Sequence, residues 1–318
     1  MKKINFKTFL GPAILMIGSV IWGVSFVAQS DGGVVGSFTF QGLRNTLAFL
    51  SIGAAVLVKE KIERRGAPRR KYQSAKDYFD KNRVQLKAGL LCGIFLFIAV
   101  ITQQFGIDLQ GTEVSVGRAG FLTAMYIVLV PVFGVVLKKK VTLKAWVSVA
   151  VAVGGLYLIS VKPGSGFGIS TADVLMIICA AFFSMQILTV DAFSRSTDGL
   201  RLSCTEFLIA AVLSLIGMAL FERPDPEQIR SNLGAILYSG VMSGGVGYTL
   251  QILGQKFTKP VLASLLMSFE SVFSALSDWI IRGNALSVRE LAGCAVMFAA
   301  VILAQLPERK KKTIQEKD

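Results

Sequence analysis

Uninterrupted apolar stretches of about 20 residues recur along the whole length of this 318-residue chain. Hydrophobic residues make up 53% of the sequence and charged residues only 17%, whereas a soluble chain alternates short apolar runs with polar faces. As a helix, each stretch is long enough to cross about 30 Å of hydrocarbon. We therefore predict an all-α integral membrane protein with ten transmembrane spans: 9–29, 35–58, 86–107, 114–137, 142–160, 172–192, 202–221, 232–255, 260–281 and 287–306.

Lysine and arginine are distributed unevenly between the two sets of connections. If the N-terminus is cytoplasmic, 27 of the 34 basic residues fall on the cytoplasmic side and six fall outside, while Arg44 lies within a span. Positively charged connections stay in the cytoplasm. We therefore predict a multi-pass protein of the plasma membrane with both termini cytoplasmic. This orientation explains the net charge of +14 without a nucleic-acid partner.

The residues that most enzyme mechanisms need are missing from the sequence. The chain has no histidine, the commonest general base and metal ligand. Its four cysteines fall in four different spans without C-x-x-C spacing. No GxxxxGK[ST] motif for ATP occurs. We therefore predict no catalytic residue, no metal site and no cofactor, and we do not expect an enzyme or a primary pump.

The second half of the sequence is similar to the first. Offsets of 144 to 161 residues align the spans of the two halves, and the aligned pairs include Ser25 with Gln186, Asn45 with Glu206, Gly89 with Gly240, Gly93 with Gly244, Gln104 with Gln255, and Tyr126 with Glu270. Five spans are an odd number, so the second repeat enters the membrane in the opposite sense. Inverted repeats create a site near the midplane. We divide the chain into a first repeat, 1–160, and a second, 161–318.

Three segments carry a resemblance to a known family: IWGVSFVAQ (21–29), RAGFLTAMYIVLVPVFG (118–134) and LLMSFESVFSALSDWIIRGNALSVRELAG (265–293). They resemble the EamA-type branch of the drug/metabolite transporter superfamily. The resemblance implies a secondary carrier of small metabolites, in a family whose members export amino acids and related compounds. Family members often have proline after the glutamate of the ninth span, where this chain has Ser271. A proline break is therefore not expected there.

Two charged residues lie deep within predicted spans. Glu270 lies ten residues into the ninth span. A carboxylate at the bilayer centre costs about 2.5–3.5 kcal/mol on insertion scales, so it usually faces a cavity, pairs with a cation or is protonated. Glu270 is therefore a candidate for substrate binding or proton coupling, or it forms a fixed ion pair with Arg44. Arg44 could bind a substrate carboxylate or phosphate, or lock helices through backbone carbonyls.

Six uncharged residues complete the predicted binding site, and each has a structural alternative. Gln104 and Gln255 could line the path or bridge helices, and Trp22 and Tyr126 could stack on a ligand or only pack. Glu206 lies near the cytoplasmic end of its span, where we expect it to reach toward water. The candidates besides Arg44 and Glu270 are Trp22, Ser25, Gln104, Tyr126, Gln186 and Gln255.

These features favour a secondary transporter, and more narrowly an exporter, of a small metabolite such as an amino acid or a drug-like compound. A sugar-phosphate or nucleotide-sugar exchanger is the alternative, but it would need several basic residues in the cavity, where only Arg44 qualifies. A membrane enzyme or scaffold with a lipid substrate would need a catalytic cluster that the sequence lacks. The expected partners are a small-molecule substrate and the lipid bilayer, and a homodimer stays open.

Overall fold

A computed structural model describes residues 7–32, 35–63, 75–110, 116–161 and 169–306. Within these ranges the chain is helical and has no strand. The elements are α1 (Lys7–Gly32), α2 (Ser37–Glu63), α3 (Ala75–Gln110), α4 (Val116–Thr123), α5 (Tyr126–Val136), α6 (Leu143–Ser160), α7 (Thr171–Phe193), α8 (Gly199–Phe221), α9 (Pro226–Ser231), α10 (Leu233–Leu237), a π-helix (Tyr238–Gly247), α11 (Tyr248–Gln255), α12 (Pro260–Met267), α13 (Glu270–Arg282) and α14 (Val288–Gln305).

Nine helical stretches of the described chain are long and apolar enough to cross a membrane. The eighth predicted span is also helical, but α10, the π-helix and α11 divide it. The predicted all-α architecture with membrane-length helices is confirmed. Some helices are longer than their predicted spans, and α3 begins at Ala75 rather than near residue 86. A helix can continue beyond the hydrocarbon into water, so hydropathy alone does not locate its end.

The fourth and ninth spans are each interrupted by a tight turn at an equivalent position. After a two-residue turn, α5 begins at Tyr126 and α13 begins at Glu270. In the ninth span the Ser271 N–H donates to the carbonyl of Ser268, three residues back, at 3.1 Å. Such a bond tightens the helix to a 3₁₀ turn. The helix therefore breaks before Glu270 without the proline that the family often has there.

The contacts between helices reflect the relation of the two repeats: when each helix is replaced by its counterpart in the other repeat, the same main contacts are obtained. α3 packs against α7, and the eighth span packs against α1 in the equivalent way. α7 also contacts α4 and α5, as α1 contacts α12 and α13. α2 packs against α8 and α6 against α14, and each of these pairs consists of counterparts. This is the expected two-repeat structure, while the division at residues 160 and 161 stays a prediction.

Two glycines allow α6 and α14 to approach closely. A Cβ atom added at Gly155 would lie 2.9 Å from the carbonyl oxygen of Gly293, and one added at Gly293 would lie 2.7 Å from the carbonyl oxygen of Gly155. Both obstacles are backbone atoms, which cannot rotate away. Small residues serve this purpose in membrane helices, where close packing drives association.

We expect Gly155→Ala to destabilise the protein by about 1–3 kcal/mol, the usual cost of overpacking. Gly154→Ala is the matched control, because nothing lies within 4 Å of a Cβ atom added there. The control should be neutral or stabilising, since alanine has the higher helix propensity. Thermal unfolding in lipid nanodiscs measures both variants, and equal midpoints for the two would contradict the packing argument.

Ionic contacts join the end of α2 to the start of α8. Asp198 caps α8 by accepting a hydrogen bond from the Arg201 N–H at 3.1 Å, and it also accepts one from Lys59. Arg201 in turn donates to Glu60 at 2.9 Å. Burial alone would raise the pKa of Asp198, but these hydrogen bonds and the two positive charges bring the pKa below its ordinary value. The ionised carboxylate therefore stabilises the folded state.

We expect Asp198→Asn to lower stability at neutral pH by about 0.2–1 kcal/mol, the range for exposed pairs, because asparagine keeps the cap but loses the charge. A lowered folded pKa contributes stability that is complete above the unfolded value, about 3.9, and is lost as the pH falls through the folded value. The difference between wild type and variant should therefore shrink in acid. A difference that does not change with pH would contradict this, and Asp225→Asn, at the cap of α9, is the control.

Candidate functional site

A cavity lies where the breaks of the fourth and ninth spans meet α1 and α7. Its empty space, including the part open to solvent, is about 470 Å³. The walls combine aromatic, amide and hydroxyl side chains with one guanidinium and one carboxyl group. The two repeats contribute equally: Trp22, Ser25, Phe26, Gln29, Arg44, Gln103, Thr123 and Tyr126 from the first, and Phe183, Gln186, Ile187, Ser243, Tyr248, Gln251, Met267 and Glu270 from the second.

Arg44 contributes a buried positive charge, since only 2% of the residue is exposed. Its Nε donates to the Ser239 carbonyl at 3.3 Å. Its terminal nitrogens donate to Gln41 and Ser243 at 3.2 Å each, and to Gln29 at 3.5 Å. All four acceptors are neutral, and within the described ranges Arg44 forms no ion pair with a carboxylate. A buried cation with neutral partners favours an anionic group on a ligand.

Glu270 contributes the carboxyl group, and its Oε1 accepts a hydrogen bond from the Tyr126 hydroxyl at 3.1 Å. It is the first residue of α13, where the positive end of the helix dipole favours a negative charge. The fixed ion pair with Arg44 that the sequence left open is not formed among the described residues. Both side chains instead line the same cavity. Tyr126 and Glu270, which occupy equivalent positions in the two repeats, are thus joined by a hydrogen bond.

Aromatic rings form one side of the cavity. Trp22 and Tyr248 meet edge to face, with ring centroids 5.1 Å apart, and Phe207 supports Tyr248 from behind at 5.4 Å. The Trp22 indole N–H donates to the Ser243 carbonyl at 3.3 Å, so the ring is held in position. A rigid aromatic wall offers apolar contact and a favourable surface for a cation.

A chain of hydrogen bonds extends from the cavity to a second buried carboxyl group. Gln186 donates to Glu206 at 2.7 Å and accepts from Gln251 at 2.8 Å. Gln251 also donates to Gln255 at 3.2 Å, which donates to the Ile187 carbonyl. Glu206 is fully buried, and its Oε2 has no hydrogen-bond partner among the residues that the structure describes. The expectation that Glu206 reaches toward water is wrong, because its side chain is buried and accepts a hydrogen bond from Gln186 of α7.

The structure brings six of the eight sequence candidates to the cavity. Gln104 and Gln255 lie outside it. Gln104 accepts from Gln41 at 3.2 Å and donates to Asp108 at 2.9 Å, so both glutamines bridge helices. The cavity also includes polar and aromatic residues that the sequence reasoning did not single out: Gln29, Gln103, Thr123, Ser243, Tyr248 and Gln251.

The family relationship is now clear from comparison with known proteins. The sequence profile of the EamA-like transporter family matches the chain twice, at residues 9–161 and 170–306. The chain belongs to the EamA-like transporter family. This family is part of the drug/metabolite transporter superfamily, so the resemblance seen in the sequence is confirmed.

Relatives of this EamA-like protein agree with that assignment. An uncharacterized transporter of Archaeoglobus fulgidus is 29% identical over 221 residues, which cover 69% of each chain. A protein of known crystal structure has a TM-score of 0.72 at 18% identity, covering 92% of this chain and 96% of the other. The second likeness concerns the fold alone. Together with the family match, these findings make the chain a multi-pass membrane transporter of small molecules.

Periodicity could have revealed part of what the sequence reasoning missed in this EamA-like cavity. Trp22, Ser25 and Gln29 follow one another at helical spacings of three and four, so they share one face of α1. Ser243 carried no comparable signal, because it lies in the π-helix, whose wider turn changes which side chains face inward.

Proposed function

We propose that this EamA-like protein is a secondary carrier that exports a small metabolite, such as an amino acid or a drug-like compound, across the plasma membrane by alternating access. The observation that carries the proposal is that one basic and one acidic side chain line the same cavity without pairing with each other. Arg44 offers a positive charge with neutral partners, and Glu270 offers a carboxyl group held by one hydrogen bond. A zwitterion, with carboxylate toward Arg44 and ammonium toward Glu270 and the aromatic wall, matches this arrangement.

The charge of the cavity argues against a sugar phosphate or nucleotide sugar as the substrate. Arg44 is the single basic residue among the described lining residues, and a carboxyl group shares the space. A phosphate group carries up to two negative charges at neutral pH. Its binding next to Glu270 with one guanidinium would leave negative charge uncompensated in a medium of low dielectric constant.

Alternating access is supported by the relation of the cavity to the two repeats. Each repeat supplies half of the lining, and the broken spans carry Tyr126 and Glu270 at corresponding positions. Inverted repeats that rock against each other expose a midplane site first to one side and then to the other. The excess of basic residues in one set of connections supports cytoplasmic termini.

Counterflow in proteoliposomes tests the proposal. Vesicles of neutral and anionic phospholipid, with purified protein, are loaded with single unlabelled amino acids or sugar phosphates and exposed to the same compound in radiolabelled form. We expect exchange of at least one zwitterionic amino acid and none of the sugar phosphates. Exchange of sugar phosphates alone would replace the proposal by its alternative, and exchange of neither class would refute the zwitterion assignment.

A further inference from the structure

A second cavity lies between α5, α6, α12 and α14, at the end of the bundle that the topology places in the cytoplasm. Its empty space, including the part open to solvent, is about 920 Å³. Four lysines line it, Lys139, Lys140, Lys144 and Lys259, and its described lining includes no acidic side chain. We call this cavity the lysine vestibule. Its walls below the lysines are apolar, including Val130 and Leu265.

Two of the four lysines are held by a partner in the described part of the chain, and two are not. Lys139 pairs with Asp191 at 2.6 Å, and Lys144 donates to the Leu306 carbonyl. Lys140 and Lys259, by contrast, form no ion pair among the described residues, although they come from different connections and lie in the same cavity. Both residues are exposed, and no carboxylate in the described lining balances their charge. A bound anion would offset it.

The backbone adds to this positive potential. The first turns of α6 and α12 both line the vestibule, at residues 142–145 and 259–262. The start of α6 is already capped, because the Thr142 hydroxyl accepts from the Ala145 N–H. α12 has no side-chain cap, and since its first residue is Pro260, its first N–H groups are those of the next two residues. Helix N-termini attract anions through these N–H groups and the helix dipole. The lysines and the uncapped end of α12 favour the same ligand charge.

The vestibule lies directly in line with the central cavity. On α5, Tyr126 lines the central cavity and Val130, one helical turn further on, lines the vestibule. On α12, Met267 lines the first and Leu265 the second. Between them Ile127 and the two apolar vestibule residues are fully buried, so a thin apolar layer separates the two spaces. A ligand held in the vestibule therefore lies next to the path that the proposed export requires.

We propose that the lysine vestibule is an anion-binding site that takes the phosphate or carboxylate group of a small molecule at the inner face of the protein. The same chemistry would recognise a soluble anionic metabolite or the head group of an anionic phospholipid. The site does not depend on the transport activity. Its occupancy can be measured on the protein at rest.

Lysine labelling tests the site in wild-type protein reconstituted in phosphatidylcholine nanodiscs. An amine-reactive reagent is applied with and without inorganic phosphate at matched ionic strength, and labelling rates of individual lysines are read by mass spectrometry. Lys256 is the internal reference, because it is exposed in the same connection as Lys259 but does not line the vestibule. We expect phosphate to slow the labelling of Lys140 and Lys259 severalfold relative to Lys256.

A second arm identifies the source of the anion. Nanodiscs that contain phosphatidylglycerol, without added phosphate, are labelled in the same way. Selective protection in this arm also supports the site and assigns it to a lipid head group, whereas protection by phosphate alone assigns it to a soluble anion. If neither phosphate nor phosphatidylglycerol slows the labelling of Lys140 and Lys259 relative to that of Lys256, the proposal is overturned. Because no transport is measured, this outcome is separate from failure of the proposed export.

Discussion

Arg44→Gln is expected to lower the affinity for a carboxylate-bearing substrate by about 30-fold or more while the protein remains folded. Losing one partner of a buried, hydrogen-bonded charge pair costs about 2–5 kcal/mol, which lowers affinity by about 30-fold or more. Glutamine can keep part of the hydrogen bonding to the neutral neighbours Gln41 and Ser243. Thermal unfolding establishes that the variant is folded, and concentration-dependent counterflow gives the affinity.

A comparison of acid and amide forms of the substrate separates recognition from structure. In wild type, replacing the substrate carboxylate by an amide should lower the binding affinity about as much as the Arg44→Gln substitution does. In the variant, acid and amide should bind almost equally, because the group that distinguishes them is gone. Arg44→Lys keeps the charge without the planar fork and should be intermediate. If Arg44→Gln weakens acid and amide equally, the residue acts through helix packing and does not contact the carboxylate.

Glu270→Gln is expected to uncouple transport from a pH gradient. The side chain keeps its shape and can still accept from the Tyr126 hydroxyl, but it can no longer bind and release a proton. With one proton coupled to each substrate, a gradient of one pH unit supports about tenfold accumulation. We expect the variant to show no accumulation, with a substrate concentration ratio of about one, while exchange continues. Both activities are measured in the same proteoliposomes with and without the gradient.

Two further variants make this test specific for Glu270. Asp278→Asn removes another carboxylate of the same helix, one that pairs with Arg282 outside the central cavity, and it should leave accumulation intact. Tyr126→Phe removes the hydrogen bond to Glu270 and should shift the pH dependence of transport without abolishing coupling. If Glu270→Gln keeps both gradient-driven accumulation and exchange, the carboxylate is dispensable and the coupling hypothesis fails.

The burial of Glu206 could not be predicted from the sequence. A carboxylate near the end of a span has water within reach of a flexible side chain, and this argument predicted an exposed Glu206. The rotation of α8 places the side chain instead beside Gln186, fully buried. Helix rotation depends on the neighbours with which the helix packs. Hydropathy contains no information about it.

The two glutamines that were predicted to line the cavity illustrate the same limit. Gln104 and Gln255 are repeat-related and polar, as cavity residues often are, but both are used to bridge helices. Conversely, Tyr248 became part of the cavity because the π-helix before it turns its ring toward Trp22. Neither outcome follows from residue type or spacing.

By itself, the sequence determined the helical class, the ten spans and the family. The helical class and the spans follow from composition along the chain, because in lipid every backbone polar group must be paired within its own helix. The family was indicated by the resemblance of three segments. Only the tertiary structure decided that Arg44, Tyr126 and Glu270 share one cavity, that the two charges do not pair, and that four lysines surround a second cavity. Those results depend on where helix breaks fall and on how helices from distant parts of the chain rotate against one another, which packing decides.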